Sequence, residues 1–143
     1  MSNKLILWFK EVGIRDIKYV GGKNASLGEM YKHLTKDGVN IPNGFATTSY
    51  AYKFFIYENK LQNEIKKTLK GLDTSNMNDL AKKGQEVRNL ILNAKFPEKL
   101  QKDIEKAYDK LGQNIDVAVR SSATAEDLPD ASFAGQQETY LNI

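Results

Sequence analysis

Two stretches of this sequence carry residue types suited to holding a chain of phosphates. The first is Val20-Gly21-Gly22-Lys23-Asn24-Ala25-Ser26-Leu27-Gly28. Two glycines let the backbone approach a ligand closely. The helix start beyond them offers unpaired N–H groups and the positive end of the helix dipole, and Lys23 adds a full charge on a flexible stem. The pattern is not a Walker A loop, which needs glycine where Ile17 stands and Ser or Thr where Asn24 stands. A tight turn followed by a surface lysine accounts for the same residues, and this segment alone does not choose between the two.

The second stretch runs from Val119 to Gly135. Ile115, Val117 and Val119 alternate with Asp116, Ala118 and Arg120, the period of a strand with one face buried. Arg120 falls on the other face, where it can enter a cleft and grip phosphate oxygens with both arms of its guanidinium. The loop after it carries Ser121, Ser122, Thr124 and Ser132, many small side chains and Gly135. Such a loop can close over a polyphosphate and exclude water. The alternative is an exposed acidic turn in which Arg120 pairs with Glu126 or Asp127.

The remaining reactive residue types read as structural. His33, between Lys32 and Leu34, is expected on a solvated helix face. Trp8, and the aromatics Tyr50, Tyr52, Phe54, Phe55 and Tyr57, are expected in the core. Nothing fixes the geometry of Asp127 and Asp130, so no metal ligand is assigned in this chain. There is no cysteine and one histidine, which excludes disulfides, thiolate metal sites and thiol catalysis and argues against a Ser-His-Asp triad.

The elements that must position these residues follow from composition and periodicity. The chain has 143 residues, 41% hydrophobic and 27% charged, with a net charge of +3, values of an ordinary globular domain. Lysines at 66, 67, 70, 82, 83, 99, 102 and 106 are interleaved with acids, a solvated face rather than a nucleic-acid surface. No apolar run approaches the ~20 residues of a membrane helix. Met1 to Lys4 lead into a short apolar run without a cleavage site, so a cytoplasmic protein is expected. Strands are predicted over 4–10, 45–48, 115–120 and 136–143. Helices are predicted over about 23–36, 50–59, 61–70, 77–95 and 97–111, the first with Leu27, Met30, Tyr31 and Leu34 as its apolar stripe. Gly38 and Gly112 are expected to end helices, and Thr48 or Ser49 to cap one. Asp73-Thr74-Ser75-Asn76 reads as a loop and cap before another, and Pro97 is expected to open the last. The end at Tyr140-Leu141-Asn142-Ile143 is strand chemistry without a turn or polar tail, and reads as a point inside a larger fold.

Three segments together resemble a known family. They are Val20 to Met30, Val39 to Thr48, and Val119 to Asn142. Their pattern is similar to the start of the phosphoenolpyruvate synthase (pyruvate, water dikinase) family. Rifampicin phosphotransferase is similar over Ala118–Gln136, pyruvate, phosphate dikinase more distantly, while Asn24-Ala25-Ser26 and Gln136-Gln137-Glu138-Thr139 favour the synthase. The resemblance implies an α+β fold in which residues 1–143 form the first part of an ATP-grasp nucleotide-binding domain, a mixed sheet with a helical segment at about 50–112. It implies that Lys23 and Arg120 contact ATP phosphates and that Gly135 and Thr139 line the nucleotide site. It implies a reaction in which ATP, pyruvate and water give AMP, phosphoenolpyruvate and phosphate through a phosphohistidine. Mg²⁺ ligands, the carrier histidine, the pyruvate site and any homo-oligomer contacts would then lie in domains beyond these residues, and the fragment alone is expected to be inactive. The alternatives are a rifampicin-phosphotransferase-like kinase and a stand-alone nucleotide-binding or docking module.

Overall fold

The computed structural model describes residues 3–125 and 137–143. The apolar run near the amino terminus forms strand β1 (Ile6–Trp8) and then curls into a tight 3₁₀ turn, Phe9–Glu11. The Glu11 carboxylate accepts from the Trp8 N–H at 2.9 Å, which draws the chain out of the extended form sooner than hydropathy suggests. A second 3₁₀ turn, Ile14–Asp16, leads into helix α1 (Ile17–Leu34). Strand β2 (Phe45–Thr47) returns antiparallel to β1, with Trp8 opposite Phe45 and Ile6 opposite Thr47.

Four helices follow: α2 (Ser49–Glu58), α3 (Leu61–Thr68), α4 (Met77–Leu92) and α5 (Glu98–Leu111). They occupy the stretch where the sequence has helical periodicity. Thr48 opens α2: its Oγ1 accepts from the Ala51 N–H at 3.1 Å and donates to the Lys4 carbonyl at 2.8 Å. One buried hydroxyl therefore caps the helix and ties it to the residues before β1. Asn76 caps α4 by accepting from the Asn78 and Asp79 N–H groups. Pro97 stands one residue before α5 rather than within it. Strands β3 (Val119–Arg120) and β4 (Thr139–Tyr140) pair antiparallel near the carboxyl end.

The strands do not form the expected mixed sheet. Those described make two separate two-stranded antiparallel ladders. A parallel neighbour requires a crossover that brings the chain back in the same sense. After α1 the chain instead turns at Gly38 (φ 82°), where the Val39 N–H reaches the Leu34 carbonyl at 3.0 Å, and β2 then runs against β1. On the expected buried face of the 115–120 strand, Ile115 and Val117 are half-buried, and the expectation fails at Val119. Val119 is 48% exposed and belongs to neither apolar cluster.

Two clusters make the core. Phe9, Val12, Val20, Ala25 and Ala46 form one, with Leu27 and Tyr31 packed against it. Leu5, Ala51 and Leu100 form the other, joined by Phe54 and Ile104. The face that α1 turns inward is made of small residues: Val20, Gly21, Gly22, Ala25 and Gly28 are buried, whereas Met30 and Leu34 of the expected stripe are exposed. Close approach explains the difference. A Cβ on Gly28 would stand 2.4 Å from the Val12 carbonyl oxygen, so only glycine lets the helix lie this near the 9–12 turn. The aromatics of α2 divide by type: Phe54 packs in the core and Phe55 meets Phe96 at 6.2 Å, while Tyr52 and Tyr57 are exposed. Their hydroxyls remain in water, and of these aromatics only Phe54 packs against a core cluster.

Candidate functional site

The glycine pair breaks α1. Gly21 has φ 78° and ψ 162°, a non-helical conformation inside an otherwise helical run. That backbone region is essentially reserved for glycine. The helix therefore restarts at Gly22-Lys23, after a first short turn that begins at Ile17. A helix start at Lys23 agrees with the sequence expectation, and the short helical turn before it does not. Lys23 is half-buried at this restart.

The break is where the distant part of the chain arrives. Ser122 Oγ donates to the Val20 carbonyl at 3.0 Å across 102 residues of sequence. The Asn24 side chain donates to the same carbonyl at 2.7 Å. A Cβ added to Gly21 would lie 2.2 Å from Ser122 Oγ and 2.8 Å from the Ala123 carbonyl oxygen. The glycine thus answers two demands at once: a backbone conformation and the close passage of the segment that follows β3.

Arg120 immediately precedes that contact. It is exposed, and in the ladder it stands opposite Thr139. Among the described residues no carboxylate or carbonyl engages its guanidinium. Ser121 continues the ladder: its N–H donates to the Glu138 carbonyl at 3.0 Å, and its Oγ accepts from the Glu138 N–H at 2.7 Å. The same hydroxyl donates to Gln137 Oε1 at 2.8 Å. At the far end, Val117 and Ile143 exchange backbone hydrogen bonds, and Asn142 with φ 57° supplies the extra residue of a bulge between that pair and Val119–Tyr140. The Tyr140 hydroxyl donates to the Glu138 carboxylate, which raises its pKa.

Three of the four residues expected at a nucleotide site are therefore carried by segments that meet. Lys23 follows the broken turn, Arg120 leads into the strand end that contacts it, and Thr139 pairs with Arg120. Gly135 lies outside the described residues, as do Glu126 and Asp127. Two hollows elsewhere on the described surface, of about 560 Å³ beside Asn59, Leu61 and Lys95 and about 380 Å³ beside Glu11, Tyr19 and Ser49, are not lined by Lys23, Arg120 or Thr139. His33 is exposed beside Glu29 at 3.1 Å, as expected of a solvated helix face. The other Glu29 oxygen accepts from the Ile14 N–H at 2.8 Å, the main cause of that carboxyl's lowered pKa. No cluster of histidines and carboxylates that could hold a metal ion is present among the described residues, and no helix is long and apolar enough to cross a membrane. The hydrogen-bonding parts of Asn24, Ser121 and Ser122 are not among the sequence expectations. The signal for them was a polar residue four places after Val20 and two hydroxyls directly after the arginine.

Residues 17–143 match the family described as pyruvate phosphate dikinase, AMP/ATP-binding domain. The chain belongs to this family. The matched span of the AMP/ATP-binding domain contains both the glycine break and the β3–β4 ladder, the two parts that the Ser122–Val20 hydrogen bond joins. The phosphoenolpyruvate synthase of Synechocystis sp. is 55% identical over 148 residues, covering 97% of this chain and 18% of the relative. That of Aquifex aeolicus is 54% identical, covering 99% of the chain and 17% of the relative. That of Escherichia coli is 47% identical, covering 99% and 18%. The chain thus spans less than a fifth of the length of these relatives.

Proposed function

We propose that this chain is the leading part of the ATP-binding domain of a phosphoenolpyruvate synthase, with Lys23 and Arg120 holding the phosphates of ATP and with Thr139 and Gly135 lining the nucleotide. The observation that carries this reading is the junction itself: the Ser122 hydroxyl on the Val20 carbonyl brings the segments bearing the two cations together. Phosphoryl transfer asks little covalent chemistry of a protein. It asks for positioned positive charge and an aligned phosphate chain. A lysine at a helix restart and an arginine at a strand end supply charge from two directions. The guanidinium can hold two oxygens in a plane, and the ammonium can follow charge as it shifts.

In this reading residues 1–143 are one portion of an ATP-grasp domain in a cytoplasmic dikinase. Mg²⁺ would be held by residues elsewhere in that protein; among the described residues no cluster of histidines and carboxylates could hold it. The pyruvate site, the carrier histidine and any homo-oligomer contacts likewise belong to other parts of it. The high identity to synthases over nearly the whole chain favours pyruvate over rifampicin as the final acceptor.

The test is a product analysis of the intact protein with ATP, Mg²⁺, pyruvate and water. The expected products are AMP, phosphoenolpyruvate and phosphate in equal amounts. Consumption of ATP that requires rifampicin, or no AMP under either condition, overturns the assignment.

A further inference from the structure

We propose that Ser121 and Ser122 are positioning residues that hold the two halves of the phosphate site in register; the proposal rests on the nucleotide reading above. Two consecutive hydroxyls follow Arg120, and they grip opposite neighbours. Ser121 Oγ accepts from the Glu138 N–H at 2.7 Å and donates to Gln137 Oε1 at 2.8 Å, fixing the segment that carries Thr139. Ser122 Oγ donates to the Val20 carbonyl at 3.0 Å, fixing the turn that carries Lys23. Consecutive side chains of an extended segment point to opposite sides. A serine pair at this place can therefore clasp one segment on each side, and Arg120 stands at its root. Asn24 completes the grip by donating to the same Val20 carbonyl at 2.7 Å. That carbonyl precedes the non-helical Gly21, so without these donors it would lose partners at the point where α1 breaks.

Neither serine needs to touch the nucleotide. Their effect is to set where Lys23, Arg120 and Thr139 stand relative to one another. A misplacement of about 1 Å in a positioned group costs up to about 100-fold in rate.

The experiment uses the intact protein. ATP affinity by calorimetry and the KM and kcat of ATP consumption are measured for Ser121→Ala, Ser122→Ala, the double variant and Ser121→Thr, each with its urea midpoint. Lys23→Ala and Arg120→Ala are run beside them. The proposal expects the double variant to lose about 10- to 100-fold in the kcat/KM of ATP consumption, with ATP affinity lowered and KM raised, and Ser121→Thr to restore the Ser121→Ala loss because it keeps the hydroxyl. Should the double variant bind ATP within twofold of the parent while Lys23→Ala and Arg120→Ala lose affinity, the positioning role is overturned and the nucleotide reading stands. Should Lys23→Ala and Arg120→Ala also bind ATP normally, the nucleotide reading is overturned, and the positioning role with it. A double variant whose affinity loss merely follows its unfolded fraction, given by the urea curve, also overturns the proposal.

Discussion

Replacing Arg120 with alanine is expected to slow ATP consumption by the intact protein about 10²–10³-fold, the usual cost of removing one fixed donor from a developing charge. The same substitution is expected to leave stability within about 0.5 kcal/mol of the parent, as for an exposed side chain with no structural duty. The separation of the two effects comes from where Arg120 stands. It is exposed, it is held at the end of a ladder by backbone pairing with Thr139, and no described group depends on its guanidinium. A structural arginine would show the opposite: a fall in the urea midpoint with activity following the folded fraction. Arg120→Lys keeps the charge but loses the planar fork, so it is expected to recover only part of the rate. Steady-state kinetics and urea denaturation on the same preparations separate the outcomes.

The second large effect is expected at Gly21. Gly21→Ala places a Cβ at 2.2 Å from Ser122 Oγ and 2.8 Å from the Ala123 carbonyl oxygen, on a residue with φ 78°. Adopting that backbone costs a non-glycine residue about 1–3 kcal/mol, and overpacking adds about 1–3 kcal/mol. The substitution is therefore expected to destabilise the domain by about 2–6 kcal/mol, or to push the 121–123 segment off the break. Gly38→Ala is the internal control. It has a similar φ of 82°, but a Cβ there would meet nothing within 4 Å. Its expected cost is about 1–2 kcal/mol. Truncating Ser122 to glycine in the Gly21→Ala background should relieve the side-chain overlap but not the clash with the Ala123 carbonyl, so only part of the stability should return. Chemical denaturation of these variants beside the parent checks this order, and equal losses at Gly21 and Gly38 would contradict it.

What could be read from the sequence was local. Thr48 as a cap, Gly38 and Gly112 as helix ends, Asn76 before α4 and the helical run from 49 to 111 each follow from one residue type in one setting. The inner face of α1 could not be read this way. Periodicity weighs large apolar side chains, whereas α1 packs through Ala25 and Gly28 because Val12 comes so close. The tyrosines of α2 stay out of the core for a related reason. Aromatic spacing does not record that a hydroxyl favours water, and Tyr57 is 76% exposed. The pairing of Val117 with Ile143 and the bulge at Asn142 depend on register, which alternation alone does not set.

The candidate site was legible in its charges and illegible in its assembly. Lys23 and Arg120 stand out because glycines, a helix start and a strand end surround them. Their joining rests on the Ser122 hydroxyl, a partner 102 residues away from Val20, and no local pattern announces a contact of that span. A residue such as Ser122 looks in the sequence like one of several small polar groups in a loop. Only its neighbour across the fold gives it a part.

The most direct test is a double-mutant cycle on ATP binding, using the intact protein, Lys23→Ala, Arg120→Ala and the variant carrying both. Two cations that serve one phosphate chain share a ligand, and groups with a shared partner are coupled by about 0.5–3 kcal/mol. The expected result is a loss of ATP affinity in each single variant and a combined loss that departs from their sum by that amount. Normal ATP binding in either single variant, or losses that simply add, would show that the ammonium and the guanidinium do not act on the same nucleotide.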